Sequence, residues 1–218
     1  MSKELESFEN ISYAKTVYGQ QEIDAVVKCL NESTQMGNYS RKFEKKIASL
    51  FDKKESIYVN SGSSALYIGI EAYNFNKGAE VITPALTFGT TIGCLLKNNL
   101  IPVFIDVEPL TYCIDVSSIE KVITEKTVAI LAPNLMGNLC DWPRIREIAD
   151  KYNLVVIEDS ADTLGATING KNSGYYSDMS ITSFYGSHII NCAGNGGALA
   201  LNDKKIIEKA KLLRSWGR

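Results

Sequence analysis

From residue 56 onward the chain alternates between short apolar runs and longer stretches in which apolar positions recur at helical spacing. The runs are SIYV (56–59), EVIT (80–83), PVFID (102–106), VAILA (128–132), LVVIE (154–158), SITSF (180–184) and ALAL (198–201). Their near-continuous apolar character predicts strands buried on both faces. Helical patterns fill the gaps near 63–75, 89–98, 116–124 and 143–153, and a last one covers 203–215. Strands separated in this way by helices predict an α/β fold, a mainly parallel sheet with helices on both faces. Ahead of it the pattern changes. Ile23, Val26, Val27 and Leu30 share one face of a helix starting near Gln21, NESTQMGNYS is rich in turn formers, and RKFEKKIASLF reads as a second helix. The chain thus divides into an N-terminal helical segment over 1–50 and an α/β domain over 51–218.

Composition narrows the class. A chain of 218 residues, 45% of them hydrophobic, is long enough for one full-sized core. A formal net charge of −2 excludes a basic nucleic-acid surface as the main theme. The five cysteines (Cys29, Cys94, Cys113, Cys140, Cys192) are odd in number and scattered, which fits neither a disulfide framework nor a zinc site, and no metal is expected. The acidic start MSKELESFEN lacks an apolar core, so no signal peptide is expected, and no apolar stretch approaches the roughly 18 residues of a membrane helix. The expectation is a protein of the reducing cytoplasm with no nucleic-acid or membrane partner.

In a parallel sheet, ligands bind beyond the carboxyl ends of the strands, and four strand exits carry candidate chemistry. Asn60-Ser61-Gly62-Ser63-Ser64 opens a helix with small residues, a setting for an anion or simply a capped turn. Thr83-Pro84-Ala85-Leu86-Thr87-Phe88 brings an aromatic ring that either stacks on a planar ligand or anchors the core. Glu158-Asp159-Ser160-Ala161-Asp162 places three carboxylates after one strand, more than helix capping requires. Ser183-Phe184-Tyr185-Gly186-Ser187-His188, with Gly194-Asn195-Gly196-Gly197 beyond, contains the single histidine, either a satisfied structural residue or a group suited to proton transfer.

Taken in order, FEKKIASLF, VNSGSSAL, EVITPALTF, IPVFIDVEPLTYCID, MGN, VVIEDSADTLGA, SFYGSHII and GNGGALAL resemble the vitamin B6-dependent sugar aminotransferases of the DegT/StrS type, from about Tyr18 to Arg218. The resemblance implies a fold type I PLP-dependent transferase, with 51–218 as its PLP/PMP-binding large domain and the family's C-terminal small domain missing from these 218 residues. It further implies that Gly62 and Ser63, with Ser183, hold the cofactor phosphate. Phe88 matches the residue stacked on the pyridine ring, and Asp159 the acid that pairs with the ring nitrogen. Asp162 falls near the ring's 3-hydroxyl, where the aminotransferases usually carry an amide. Pyridoxal 5′-phosphate or pyridoxamine 5′-phosphate is therefore the expected cofactor.

The departure is His188. Ordinary members place a Schiff-base lysine there, and this chain has no lysine between Lys171 and Lys204. Lysine-to-histidine replacement marks the family's sugar 3-dehydratase branch, in which the histidine moves the proton at the cofactor's 4′ carbon while the 3-hydroxyl leaves. The expected activity is thus C3 dehydration of a nucleotide-linked 4-keto-6-deoxy sugar, with glutamate as amino donor and a homodimer as the assembly. A nucleotide-sugar aminotransferase and a non-catalytic homologue that binds cofactor or sugar nucleotide stay open. In the iron–sulfur variant of the branch, one cluster cysteine lies where this chain has Ala161, which argues against a cluster. Asn195, in place of the family's usual glutamate, is a further departure. Thr34-Gln35-Met36-Gly37 aligns with a substrate-facing stretch.

Overall fold

The structure is a computed structural model that describes residues 14–15, 17–33 and 35–217. The leader over 1–13, Thr34 of the substrate-facing stretch and Arg218 lie outside the described residues. Two helices come first, α1 (Gln20–Glu32) and α2 (Asn38–Leu50). Glu22 Oε2 accepts the Gly19 N–H at 2.7 Å and closes the start of α1, yet none of the residues of α1 is buried. α2 buries Ile47 and Ala48 and leads into Phe51, which is fully enclosed.

The α/β body follows as β1 (Glu55–Val59), α3 (Gly62–Tyr73), β2 (Glu80–Pro84), α4 (Gly89–Lys97), β3 (Ile101–Ile105), α5 (Val116–Ile119), β4 (Thr127–Pro133), α6 (Trp142–Tyr152), β5 (Val155–Asp159), the short pair β6 (Thr167–Ile168) and β7 (Lys171–Asn172), then β8 (Met179–Ser183), β9 (Gly197–Leu201) and α7 (Lys204–Arg214). Side-chain caps mark several helix starts, as expected where backbone N–H groups lack intrahelical partners. Ser61 caps α3, Asp141 caps α6, and Asp203 caps α7 through the N–H groups of Lys205 and Ile206.

Seven strands form one sheet in the order β1-β9-β8-β5-β4-β2-β3. All neighbours are parallel except at β9, which runs antiparallel to both β1 and β8. The mainly parallel sheet expected from the apolar runs is present, and β9 is its exception for a covalent reason. No helix connects β8 to β9, and without a crossover the chain can only return antiparallel. Residues 116–124 also differ from expectation, since α5 stops at Ile119 and a 3₁₀ turn takes over at Glu120–Val122. The β6–β7 hairpin turns at Asn169 and Gly170, both at positive φ, an Asn-Gly signal for a type I′ turn.

Strand alternation sorts the core into two layers. Val81, Ala129, Leu131, Ile157, Leu199 and Leu201 pack beneath α3, α4 and α7. The intervening Ile82, Ile130, Ala132 and Val156 face α6, while Ala198 and Ala200 face α2 and Phe51. Among the described residues, no helix is long and apolar enough to cross a membrane.

Candidate active site

Parallel strands send their carboxyl ends to one edge, so the loops leaving β1, β2, β4, β5 and β8 converge there. The loop entering β9 joins them because that strand runs the other way. Between these loops lies a cleft of about 600 Å³, lined by Gly62, Ser63, Phe88, Asp159, Asp162, Ser183 and His188 among others. All seven residues singled out in the sequence therefore meet at one place.

The β1 exit is built for close approach. Ser61 Oγ accepts the Ser64 N–H at 3.1 Å, and α3 starts directly against β8. A Cβ on Gly62 would stand 2.8 Å from the Ser183 Cβ, and one on Gly197 would stand 2.2 Å from the Ser61 carbonyl carbon. Glycine at both positions lets two backbones close around the turn. Ser63 shares a 2.8 Å hydrogen bond with Thr90, and Ser183 Oγ accepts the Tyr185 N–H at 3.4 Å. A helix N-terminus ringed by hydroxyls favours an anion.

Phe88 occupies the N-cap position of α4 and is 72% exposed, so its ring is no core anchor. Phe184 takes that role instead, fully buried against Phe43 with ring centroids 5.1 Å apart. Opposite, Asp159 ends β5 almost entirely enclosed. Burial pushes its carboxyl up to about 6, and the nearby Asp162 and Glu158 act in the same direction against the hydrogen bond from the Ala161 N–H. An enclosed acid beside an open aromatic ring suits a flat, cationic heterocycle.

His188 follows β8 in a turn closed by its own N–H on the Tyr185 carbonyl at 3.0 Å. Its Nε2 lies 3.8 Å from Asp162 Oδ1, while Asp162 Oδ2 accepts the Met136 N–H at 3.1 Å. The cleft thus offers a helix N-terminus ringed by hydroxyls, an aromatic surface, a buried acid and an imidazole. The sequence profile of the DegT/DnrJ/EryC1/StrS aminotransferase family matches residues 17–218. The chain belongs to this family.

GDP-perosamine synthase of Caulobacter vibrioides is 36% identical over 209 residues, covering 95% of this chain and 56% of that protein. The dTDP-4-dehydro-2,6-dideoxy-D-glucose 3-dehydratase of Saccharopolyspora spinosa is 36% identical over 190 residues, covering 84% of this chain and 41% of that one. Among solved structures, a GDP-4-keto-6-deoxymannose-3-dehydratase with a trapped PLP–glutamate geminal diamine superposes with a TM-score of 0.90 at 30% identity, over 95% of this chain and 55% of that one. The sheet and its flanking helices are those of the fold type I large domain. The chain spans about half the length of the curated relatives it matches.

Within this DegT/StrS-family chain, one of the three acids at and beyond the end of β5 does not face the cleft. Glu158 points to the other side of the sheet, is completely buried, and accepts hydrogen bonds from Asn134 Nδ2 (3.2 Å), Ser160 Oγ (2.6 Å), Ser180 Oγ (2.7 Å) and Ser177 Oγ (3.3 Å). Alternation along β5 is the signal that separates it from Asp159. Asn134, which no motif singled out, spans from Glu158 to the Trp142 Nε1–H, accepting the latter at 2.9 Å. Lys53 is equally unheralded. It is buried, donates to the carbonyls of Gly174 and Ser177, and burial brings it down to about 8. Around the β2 exit, the hydroxyls of Thr83, Thr87 and Thr91 are buried without a partner among the described residues.

Proposed function

We propose that the cleft holds pyridoxamine or pyridoxal 5′-phosphate and that the protein removes the 3-hydroxyl of a nucleotide-linked 4-keto-6-deoxy sugar. The observation that carries this reading is that His188 and Asp159 line the same cleft and that no lysine lines it among the described residues. The residues present fit the cofactor. The Gly62 turn, which a Cβ would fill, suits its phosphate, and the enclosed Asp159 carboxyl lacks a cationic partner among the described residues. The Thr87 hydroxyl, which also lines the cleft, is an orphaned polar atom.

When bound, a protonated pyridine ring supplies an electron sink for negative charge developing at the adjacent carbon. The chain's own groups do the rest. Ser63, Ser183 and the start of α3 hold the phosphate, Phe88 stacks on the ring, and Asp159 keeps the ring nitrogen protonated. His188 would take up the proton at the cofactor's 4′ carbon and would give it to the departing 3-hydroxyl oxygen. Imidazole forms no Schiff base, so these non-covalent contacts carry the whole of cofactor retention. Glutamate is the proposed amino donor, and a homodimer in the cytoplasm the proposed working form.

The similarity to GDP-perosamine synthase supports a second reading, an aminotransferase that works without the lysine. Incubation with pyridoxamine phosphate and 4-keto-6-deoxy nucleotide sugars separates the two, with products followed by mass spectrometry and NMR. The expected result is loss of the 3-hydroxyl that disappears in His188→Asn. A stable amino sugar formed from glutamate without deoxygenation would establish the second reading instead.

A further inference from the structure

Asp159 ends β5 with few groups that favour its charge. The Ala161 N–H bonds Oδ1 at 3.1 Å, while burial and the nearby Asp162 and Glu158 carboxylates act against ionisation. A buried carboxylate held in its charged form normally collects two or three donors. A further donor stands on α4. Thr91 is fully enclosed, and its hydroxyl has no hydrogen-bond partner among the described residues. It lies beside the Asp159 carboxyl, outside hydrogen-bond geometry, and already favours the charged form. An enclosed carboxylate short of donors thus faces an enclosed donor without an acceptor, a combination that native interiors rarely leave unmet. The first turn of α4 sets this placement. Phe88 is its N-cap residue, Thr90 joins Ser63 at the β1 exit at 2.8 Å, and the Thr91 N–H bonds the Phe88 carbonyl at 2.9 Å. Thr91 then shares the buried face of the helix with Cys94 and Leu95.

We propose that Thr91 is a positioning residue for Asp159, its hydroxyl donating to the carboxylate so that the acid stays ionised toward the cofactor's ring nitrogen. This rests on the reading of the cleft as a pyridoxamine or pyridoxal phosphate site with Asp159 at that nitrogen. Acid and nitrogen then share one proton. Burial alone favours its transfer to the carboxylate, which leaves two neutral partners and a weaker electron sink. A hydroxyl that donates to the carboxylate makes it the poorer base and keeps the proton on the nitrogen. Hydrogen bonds of this kind are commonly long in an empty site and tighten when it fills.

Thr91→Val keeps the shape of the side chain and removes the donor, whereas Thr91→Ser keeps the donor and removes a methyl. In the cofactor-free full chain, ¹³C NMR follows the Asp159 carboxyl through its titration near 6, with Asp159→Asn assigning the signal. Thr91→Val is expected to move the midpoint up by about half a unit or more, and Thr91→Ser to leave it near the wild-type value. Thr91→Ala, which lacks both groups, must shift it in the same direction as Thr91→Val. An unmoved midpoint without the hydroxyl overturns the role of Thr91 and leaves the functional reading standing. An equal shift in Thr91→Ser overturns it too, since packing would then be the cause. Pyridoxamine 5′-phosphate labelled with ¹⁵N in its ring reads the bound state. The ring nitrogen is expected to be protonated in the wild type and in Thr91→Ser. In Thr91→Val it should lose proton occupancy, with binding about tenfold weaker. Equal protonation in all three proteins overturns the proposal. If Asp159→Asn binds this probe as tightly as the wild type, the acid's place at the ring nitrogen falls, and the role of Thr91 toward the cofactor with it, whatever the titration shows.

Discussion

Glu158 and Asp159 are adjacent acids on one strand, and their surroundings differ completely. Glu158 is saturated by four donors, from the exits of β4 and β5 and from β8 and the turn leading into it, in a layer that also buries the Lys53 ammonium. Asp159 accepts the Ala161 N–H at 3.1 Å, with the Thr91 hydroxyl nearby but out of hydrogen-bond geometry. Burial raises its carboxyl to about 6, and unpartnered hydroxyls surround the β2 exit beside it. A half-turn of the backbone separates a group satisfied within the protein from one left for something else. Buried polar groups without partners are rare enough that a cluster of them beside a cleft points to a ligand.

The comparison is broken most forcefully at the saturated side. Glu158→Ala leaves four donors and a neighbouring buried ammonium uncompensated, which is expected to destabilise the fold by about 3–5 kcal/mol. Urea unfolding measures this. A loss under about 1 kcal/mol would mean the network is solvated and the contrast with Asp159 is false.

Asp159→Asn should move stability the other way. The folded carboxyl titrates near 6 and the unfolded one near 3.8, so the native state holds more protons across that interval. Stability therefore falls as pH rises from about 4 to about 6, and the penalty is complete at neutral pH. Removing the charge is expected to stabilise the cofactor-free protein by about 1–3 kcal/mol at pH 7 and by almost nothing near pH 4. Unfolding midpoints at the two pH values test the sign, and a variant less stable than wild type at pH 7 would overturn it. Pyridoxamine phosphate should bind this variant more weakly, since the acid proposed to answer the ring nitrogen is gone.

Gly62→Ala probes the boundary between the two regions. The added methyl meets Ser183 Cβ at 2.8 Å with backbone behind it. A stability loss of about 1–3 kcal/mol is expected from overpacking, together with weaker phosphate binding. Weaker binding at undiminished stability would show that the turn yields and that the glycine serves the ligand alone.

The inner strands were legible because both of their faces are buried, and β4 and β5 lie within a residue or two of the runs that announce them; β3, expected to be buried on both faces, is instead largely exposed because it forms the edge of the sheet. Strand direction is carried only by what connects the strands, and the helix-free segment between β8 and β9 holds that information without advertising it. At the cleft, small residues and acids at strand exits are visible as a pattern. Their partners are not, because Lys53 and Asn134 reach Glu158's surroundings from distant parts of the chain. A reading that groups Glu158 with Asp159 and Asp162 overlooks alternation, which alone sends neighbouring side chains to opposite faces.

Phe88 gives the smallest effect on the fold and so the sharpest test of purpose. At 72% exposure its ring contributes little to the core, and Phe88→Ala should change unfolding free energy by no more than about 0.5 kcal/mol. An exposed aromatic ring at the mouth of a cleft gains its contacts only when a flat partner covers it, and such a stack adds about 1 kcal/mol. The expected outcome is therefore a several-fold weaker affinity for pyridoxamine phosphate, measured by fluorescence titration, in a protein whose stability is unchanged. Equal losses in both would return Phe88 to the core. No loss in either would leave Asp159 and the Gly62 turn to hold the cofactor without stacking, and the comparison between satisfied and unsatisfied groups would then rest on polar atoms alone.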